Sequence, residues 1–110
     1  MPARITHFDP EASGPAVFLG PIEAQLMELI WKHGPVTVKR ALFLMNVENK
    51  PAYTTVMTVL ARLAEKGLLD REKDGRTYVY RAVLSRDEFL RERVSTIYGS
   101  LKRNFPSYLR

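Results

Sequence analysis

Few side chains here can carry chemistry, and their spacing excludes most of it. The sequence has no cysteine and two histidines, His7 and His33. Disulfide staples, thiolate metal sites, iron–sulfur clusters and cysteine nucleophiles are therefore excluded, and the two histidines do not stand at a metal-ligand spacing. The acids Glu65, Asp70, Glu72 and Asp74 are interleaved with bases, the pattern of a solvated face and not of a paired general acid and base. No serine has plausible His and Asp partners, and no glycine-rich phosphate loop occurs. What remains is a run of hydroxyls, Thr54, Thr55 and Thr58, with Met57 among them, followed by the cations Arg71, Lys73, Arg76 and Arg81. Threonine donates or accepts at base edges, and its methyl, like the methionine side chain, packs on a thymine methyl. Lysine and arginine neutralise phosphate. The expected chemistry is binding, with no metal and no cofactor.

The hydroxyl run must sit on a helix for this to work. Pro51 and Gly67 bracket it, and Ala52, Val56, Val59, Leu60 and Leu63 recur at three- and four-residue steps. Local propensity argues the other way, because Thr54, Thr55, Val56, Thr58 and Val59 are β-branched and individually poor helix formers. The continued spacing through Leu63 decides for helix over about 51–66. With Val56, Val59 and Leu63 inward, stepping by about 100° turns Thr54, Thr58, Ala61 and Glu65 outward, flanked by Thr55, Met57 and Arg62. Tyr53 stands at the helix start, within reach of a sugar or phosphate.

Two helices precede it. Pro21 opens the first, with Ile22, Leu26, Leu29 and Ile30 at helical spacing, and Gly34 with Pro35 stops it. Thr37 caps a shorter one through Val38, Ala41, Leu42 and Met45 toward Asn46. After Gly67 the period changes. Residues 68–73 and 77–84 read as strands around Asp74-Gly75, a strong hairpin signal. Ser85, followed by Asp87 and Glu88, caps a last helix with the apolar stripe Phe89, Leu90, Val94, Ile97, Tyr98, Leu101 and Phe105, and Pro106 limits further helix.

These elements predict an α+β fold, a winged helix-turn-helix of three helices and a two-stranded wing with a C-terminal dimerisation helix. Residues 1–18, with Pro2, Pro10, Gly14 and Pro15, read as an irregular arm with a short extended stretch at 16–19. Residues 19–84 form the winged-helix domain and 85–110 the helical dimerisation segment. A 110-residue chain suits one domain with a modest core. Its net charge of +5 is unevenly placed: residues 49–81 hold seven Lys/Arg against four Asp/Glu, while residues 1–48 are slightly acidic. That distribution points to a polyanionic partner. No apolar run approaches a membrane span and the start shows no signal peptide, so a cytoplasmic protein without a membrane partner is expected.

The run IEAQLMELIWKHGPVTVK with AYTTVMTVLARLAEKGLLDREKDGRTYVY closely resembles the penicillinase-repressor family of bacterial winged-helix regulators, over about residues 20–98. The most specific parts are YTTVMT with RL.EKGL, and R.KDGR.Y.Y in the wing. The resemblance implies a homodimeric repressor on an inverted-repeat operator in double-stranded DNA. It implies base reading by Tyr53, Thr54, Thr55, Met57 and Thr58, with Arg62 beside them, and a backbone grip by Lys73, Arg76 and Arg71. It places the dimer interface at Phe89, Leu90, Val94, Ile97, Tyr98 and Leu101. Some relatives are switched off when a sensor-linked protease cuts between an Asn and a Phe, and Asn104-Phe105 stands at a comparable place. The copper-sensing branch carries a C-terminal cysteine motif absent from this sequence.

Dimerisation also follows physically, because a long apolar stripe on a terminal helix must be buried on its own domain or on another copy. The competing function is a winged-helix module that docks proteins without sequence-specific DNA binding. An acidic or apolar recognition face would favour that module; the threonines and the basic wing favour DNA.

Overall fold

The computed structural model describes residues 7–45, 48 and 50–109. The order of its helices and strands is α1 (Pro21–His33), α2 (Val38–Leu44), α3 (Tyr53–Glu65), β1 (Leu69–Asp74), β2 (Thr77–Ala82) and α4 (Arg86–Asn104). Local signals in the sequence account for most boundaries. Pro21 occupies the first turn of α1, where its missing N–H costs nothing, and Gly34 ends the helix at φ 89°. The Thr37 hydroxyl accepts from the Arg40 N–H at 3.0 Å to start α2. The helix stops at Leu44, one residue short of the expected run through Met45, which is extended at φ −69° and ψ 112°; Asn46 lies outside the described residues. At α4, Ser85 and Glu88 form a reciprocal capping box.

In α3 the β-branched content is overridden by burial. Val56, Leu60 and Leu63 are fully enclosed, and tertiary packing of one face outweighs the few tenths of a kcal/mol that each β-branched residue costs. Ala52 departs from the expected core face. It is the residue before the first helical turn and lies exposed. Val59 is half-buried.

β1 and β2 pair antiparallel, with Asp74 opposite Thr77 and Arg71 opposite Tyr80. Gly75 takes φ 66° in the turn, a left-handed conformation that glycine adopts without strain. Val36, in the α1–α2 connection, adds a single rung on the other edge of β2. Its N–H donates to the Tyr80 carbonyl at 2.9 Å and its carbonyl accepts from the Tyr80 N–H at 2.7 Å. The core gathers one face of each helix and the hairpin root, including Leu26, Ile30, Leu60, Leu69 and Tyr80.

The N-terminal arm differs from the extended stretch expected at 16–19. Gly14–Val17 forms a 3-10 turn, with Pro15 inside its first turn. Turning the chain there sinks Pro15, Phe18 and Leu19 into the body, which an extended strand would leave facing solvent on alternate residues. The Phe18 ring lies 6.2 Å from Phe8 and 6.4 Å from Phe89, and Phe89 lies 5.5 Å from Trp31. Trp31 Nε1 donates to the Leu84 carbonyl at 2.9 Å. Among the described residues, no helix is long and apolar enough to cross a membrane.

Candidate nucleic-acid interface

α3 presents its free face beside the wing. Tyr53 and Met57 are 49% and 43% exposed, large values for side chains of their size. Thr54, Thr55 and Thr58 are exposed beside them, and with Val59 and Arg62 they line a shallow concavity of about 290 Å³. This face therefore carries hydroxyls, a thioether and a phenol over its first two turns, with Arg62 one turn further on. No side chain caps the start of α3, which leaves its first-turn N–H groups free to meet an anion.

The orientation of α3 is fixed from behind. Lys66, just past its end, donates to Glu23 Oε2 of α1 at 2.7 Å, and Oε1 of the same carboxylate accepts from the Gly20 N–H at 3.0 Å. Burial by itself pushes the Glu23 carboxyl upward. The Lys66 and Gly20 hydrogen bonds and the Lys66 charge outweigh it and hold Glu23 below the usual carboxylate range. Lys66 is thereby committed to the fold. At the other end, Lys50 Nζ donates to the Leu42 and Phe43 carbonyls at 3.1 and 3.4 Å, tying the end of α2 to the approach into α3. The sequence pattern does not single out Lys50, because it stands in a non-periodic connection; its place just before Pro51 is the one available signal.

The four wing cations are not equivalent. Arg81 pairs with Glu72 at 3.3 Å across the strands, and the Arg71 guanidinium lies 4.5 Å over the Tyr78 ring. Lys73 and Arg76 are exposed toward the turn and have no ion-pair partner among the described residues. The structure thus leaves Tyr53, Thr54, Thr55, Met57, Thr58 and Arg62 exposed on α3, gathers Thr54, Thr55, Thr58 and Arg62 around one concavity, and leaves Lys73 and Arg76 as the freest cations on the hairpin.

α4 divides the stripe read from sequence between two faces. Phe89 is fully buried, and Arg93 is enclosed with its guanidinium 4.8 Å over the Phe89 ring and paired with Glu92. Ile97 continues this face, half-buried against the core. The expected assignment of Phe89 to a subunit interface is corrected here: its ring fills the body of its own domain, between Phe18 and Trp31. Leu90 is half-buried beside the core. Val94, Tyr98 and Leu101 turn outward, with Val94 57% and Tyr98 51% exposed. Asn104 ends the helix, its side-chain amide donating to the Ser100 carbonyl at 2.9 Å, and both Asn104 and Phe105 are exposed.

A family model described as penicillinase repressor matches residues 19–108. The chain belongs to the penicillinase-repressor family. A transcriptional regulator BlaI from Mycobacterium tuberculosis is 40% identical over 73 residues, which cover 66% of this chain and 53% of that protein. The penicillinase repressor of Bacillus licheniformis is 28% identical over 68 residues, 62% of this chain and 53% of that one. The chain thus spans about half the length of the curated relatives it matches. The solution structure of the DNA-binding domain of the repressor BlaI superposes with a TM-score of 0.55 at 28% identity, over 61% of this chain and 82% of that domain. A transcriptional regulator from Thermotoga maritima shares the fold, with a TM-score of 0.51 at 20% identity over 82% of this chain and 62% of that one. In this penicillinase-repressor family member, α2 and α3 are the helix-turn-helix and β1–β2 the wing.

Proposed function

We propose that the chain is a homodimeric transcriptional repressor that binds an inverted-repeat operator in double-stranded DNA. The observation carrying this reading is the pairing of a hydroxyl-bearing N-terminal half of α3, which exposes no acid, with two cations at the wing tip that have no ion-pair partner among the described residues. The α3 face matches the donors, acceptors and methyl groups of a major-groove edge. The tip cations supply the sequence-independent grip on phosphate. Tyr53, Thr54, Thr55, Met57 and Thr58 then read bases, and Lys73 and Arg76 hold the backbone, with Arg62 and Arg71 at the margin.

The outward stripe of α4 supplies the pair. Leu90, Val94, Tyr98, Leu101 and Phe105 follow one another at steps of four, four, three and four, the spacing of a helix–helix seam. A symmetric partner on this seam presents two α3 helices to successive major-groove faces, and the second contact becomes intramolecular. A sensor-linked protease that severed the exposed Asn104–Phe105 bond would detach Phe105 from the seam and weaken the pair.

Footprinting on the DNA upstream of the chain's own gene tests the reading, together with binding of the Met57→Ala and Thr58→Ala variants to the protected site. A palindromic footprint is expected, and each variant should lose about 1–3 kcal/mol of discrimination at one base pair per half-site. Equal losses on protected and scrambled duplexes would remove the base-reading role. A salt-independent association with protein, and none with DNA, would instead support the docking module.

A further inference from the structure

A trough of about 480 Å³ lies between the N-terminal arm, α1 and the end of α2, with no α3 or wing residue in its lining. This volume falls in the range of small-molecule pockets. Its floor is apolar: Pro15, Ala24, Leu29 and Met45, all buried, with Leu44 and Ala16 on the walls. Its rim is charged. Glu28 is neutralised by Arg86, whose Nε and terminal nitrogen donate to the two carboxylate oxygens at 2.7 and 3.2 Å. Lys32, also on the rim, has no ion-pair partner among the described residues, and His33 stands next to it. One uncompensated positive charge therefore overlooks an apolar trough. The wall at residues 13–16 lies outside the family match at 19–108.

From this juxtaposition we infer that the trough is a binding site for a small amphipathic monoanion. An aromatic or aliphatic body rests on Leu29, Leu44 and Met45, and its acid group meets Lys32. The occupant would bear on the last turn of α2, whose Leu42 and Phe43 carbonyls are held by Lys50 next to α3.

Titration of the full chain with 2-naphthoate, followed by amide chemical shifts, tests this. Saturable shifts are expected at Gln25, Leu29, Lys32 and Leu44. Neutral 2-naphthol should bind at least about tenfold more weakly, and Lys32→Glu should weaken naphthoate by about tenfold while leaving naphthol within a factor of two, as a charge-assisted contact requires. Ala16→Trp, placed in the trough wall, should abolish both; should it fail to fold, Lys32→Glu alone carries the test. Absence of saturation, equal binding of the two probes, or shifts confined to Val94, Tyr98 and Leu101 of α4 would overturn the inference.

Discussion

Removing the two free cations of the wing tip should flatten the salt dependence of DNA binding more than it harms recognition. Lys73 and Arg76 are exposed and unpaired among the described residues, whereas Arg81 is tied to Glu72 and Arg71 lies over Tyr78. In a symmetric pair, Lys73→Ala/Arg76→Ala removes four phosphate contacts, and each contributes about 0.9 to the slope of log affinity against log salt. The slope should therefore fall by about 3.6. From 50 to 200 mM salt, the unaltered protein should lose about 150-fold more affinity than the variant. The assay is fluorescence anisotropy of a labelled operator and a scrambled duplex across a salt series. Both duplexes should be affected alike. Arg81→Ala should change the slope less, because that charge is already shared with Glu72. An unchanged slope in the double variant, or a loss confined to the operator, would refute the assignment of these side chains to the phosphate backbone.

The two faces of α4 should separate in stability measurements. Phe89→Ala, which empties a fully buried site, is expected to cost about 3–5 kcal/mol in chemical denaturation. Val94→Asp combined with Leu101→Asp should change the stability of the single chain, compared at concentrations where the unaltered protein is also monomeric, by less than about 1 kcal/mol, since both sites are exposed there, yet should give a monomer in sedimentation and weak operator binding at higher concentration. Acid should loosen the α1–α3 clamp. The Glu23 carboxyl is held below its unfolded value of about 4.3, so its contribution is complete above that pH and is lost as pH falls through the depressed folded value. Thermal melts from pH 7 to pH 3 should show a shallower acid decline for Glu23→Gln than for the unaltered chain; parallel curves would remove the clamp from the acid response.

The sequence made the elements legible wherever a boundary was written in local chemistry. Pro21 and Gly34 bracket α1, Asp74-Gly75 makes the hairpin, and Ser85 with Glu88 starts α4. The outward face of α3 was also readable, because three buried positions at helical spacing leave the threonines only one side to occupy. Decisions taken by tertiary packing were not readable. Periodicity marked one apolar stripe on α4, but Phe89 and Val94 lie on different sides of it, and only the position of Phe18 and Trp31 determines which side meets the body. The Val36 rung on β2 joins residues far apart in the chain and leaves no local signature. The turn at 14–17 was hidden for a related reason: Gly14-Pro15 marks a change of direction, while the depth to which Phe18 sinks depends on a helix seventy residues later.

The Val36–Tyr80 rung divides the hairpin into unequal parts. Its base is gripped on both edges, by β1 and by the α1–α2 connection, whereas everything beyond Tyr80 is held by a single neighbouring strand. Bending is therefore expected in the outer portion, like a finger stiff at the knuckle. In the proposed DNA complex that portion is then the part expected to adapt to the local width of a groove, while α3 stays fixed to the body.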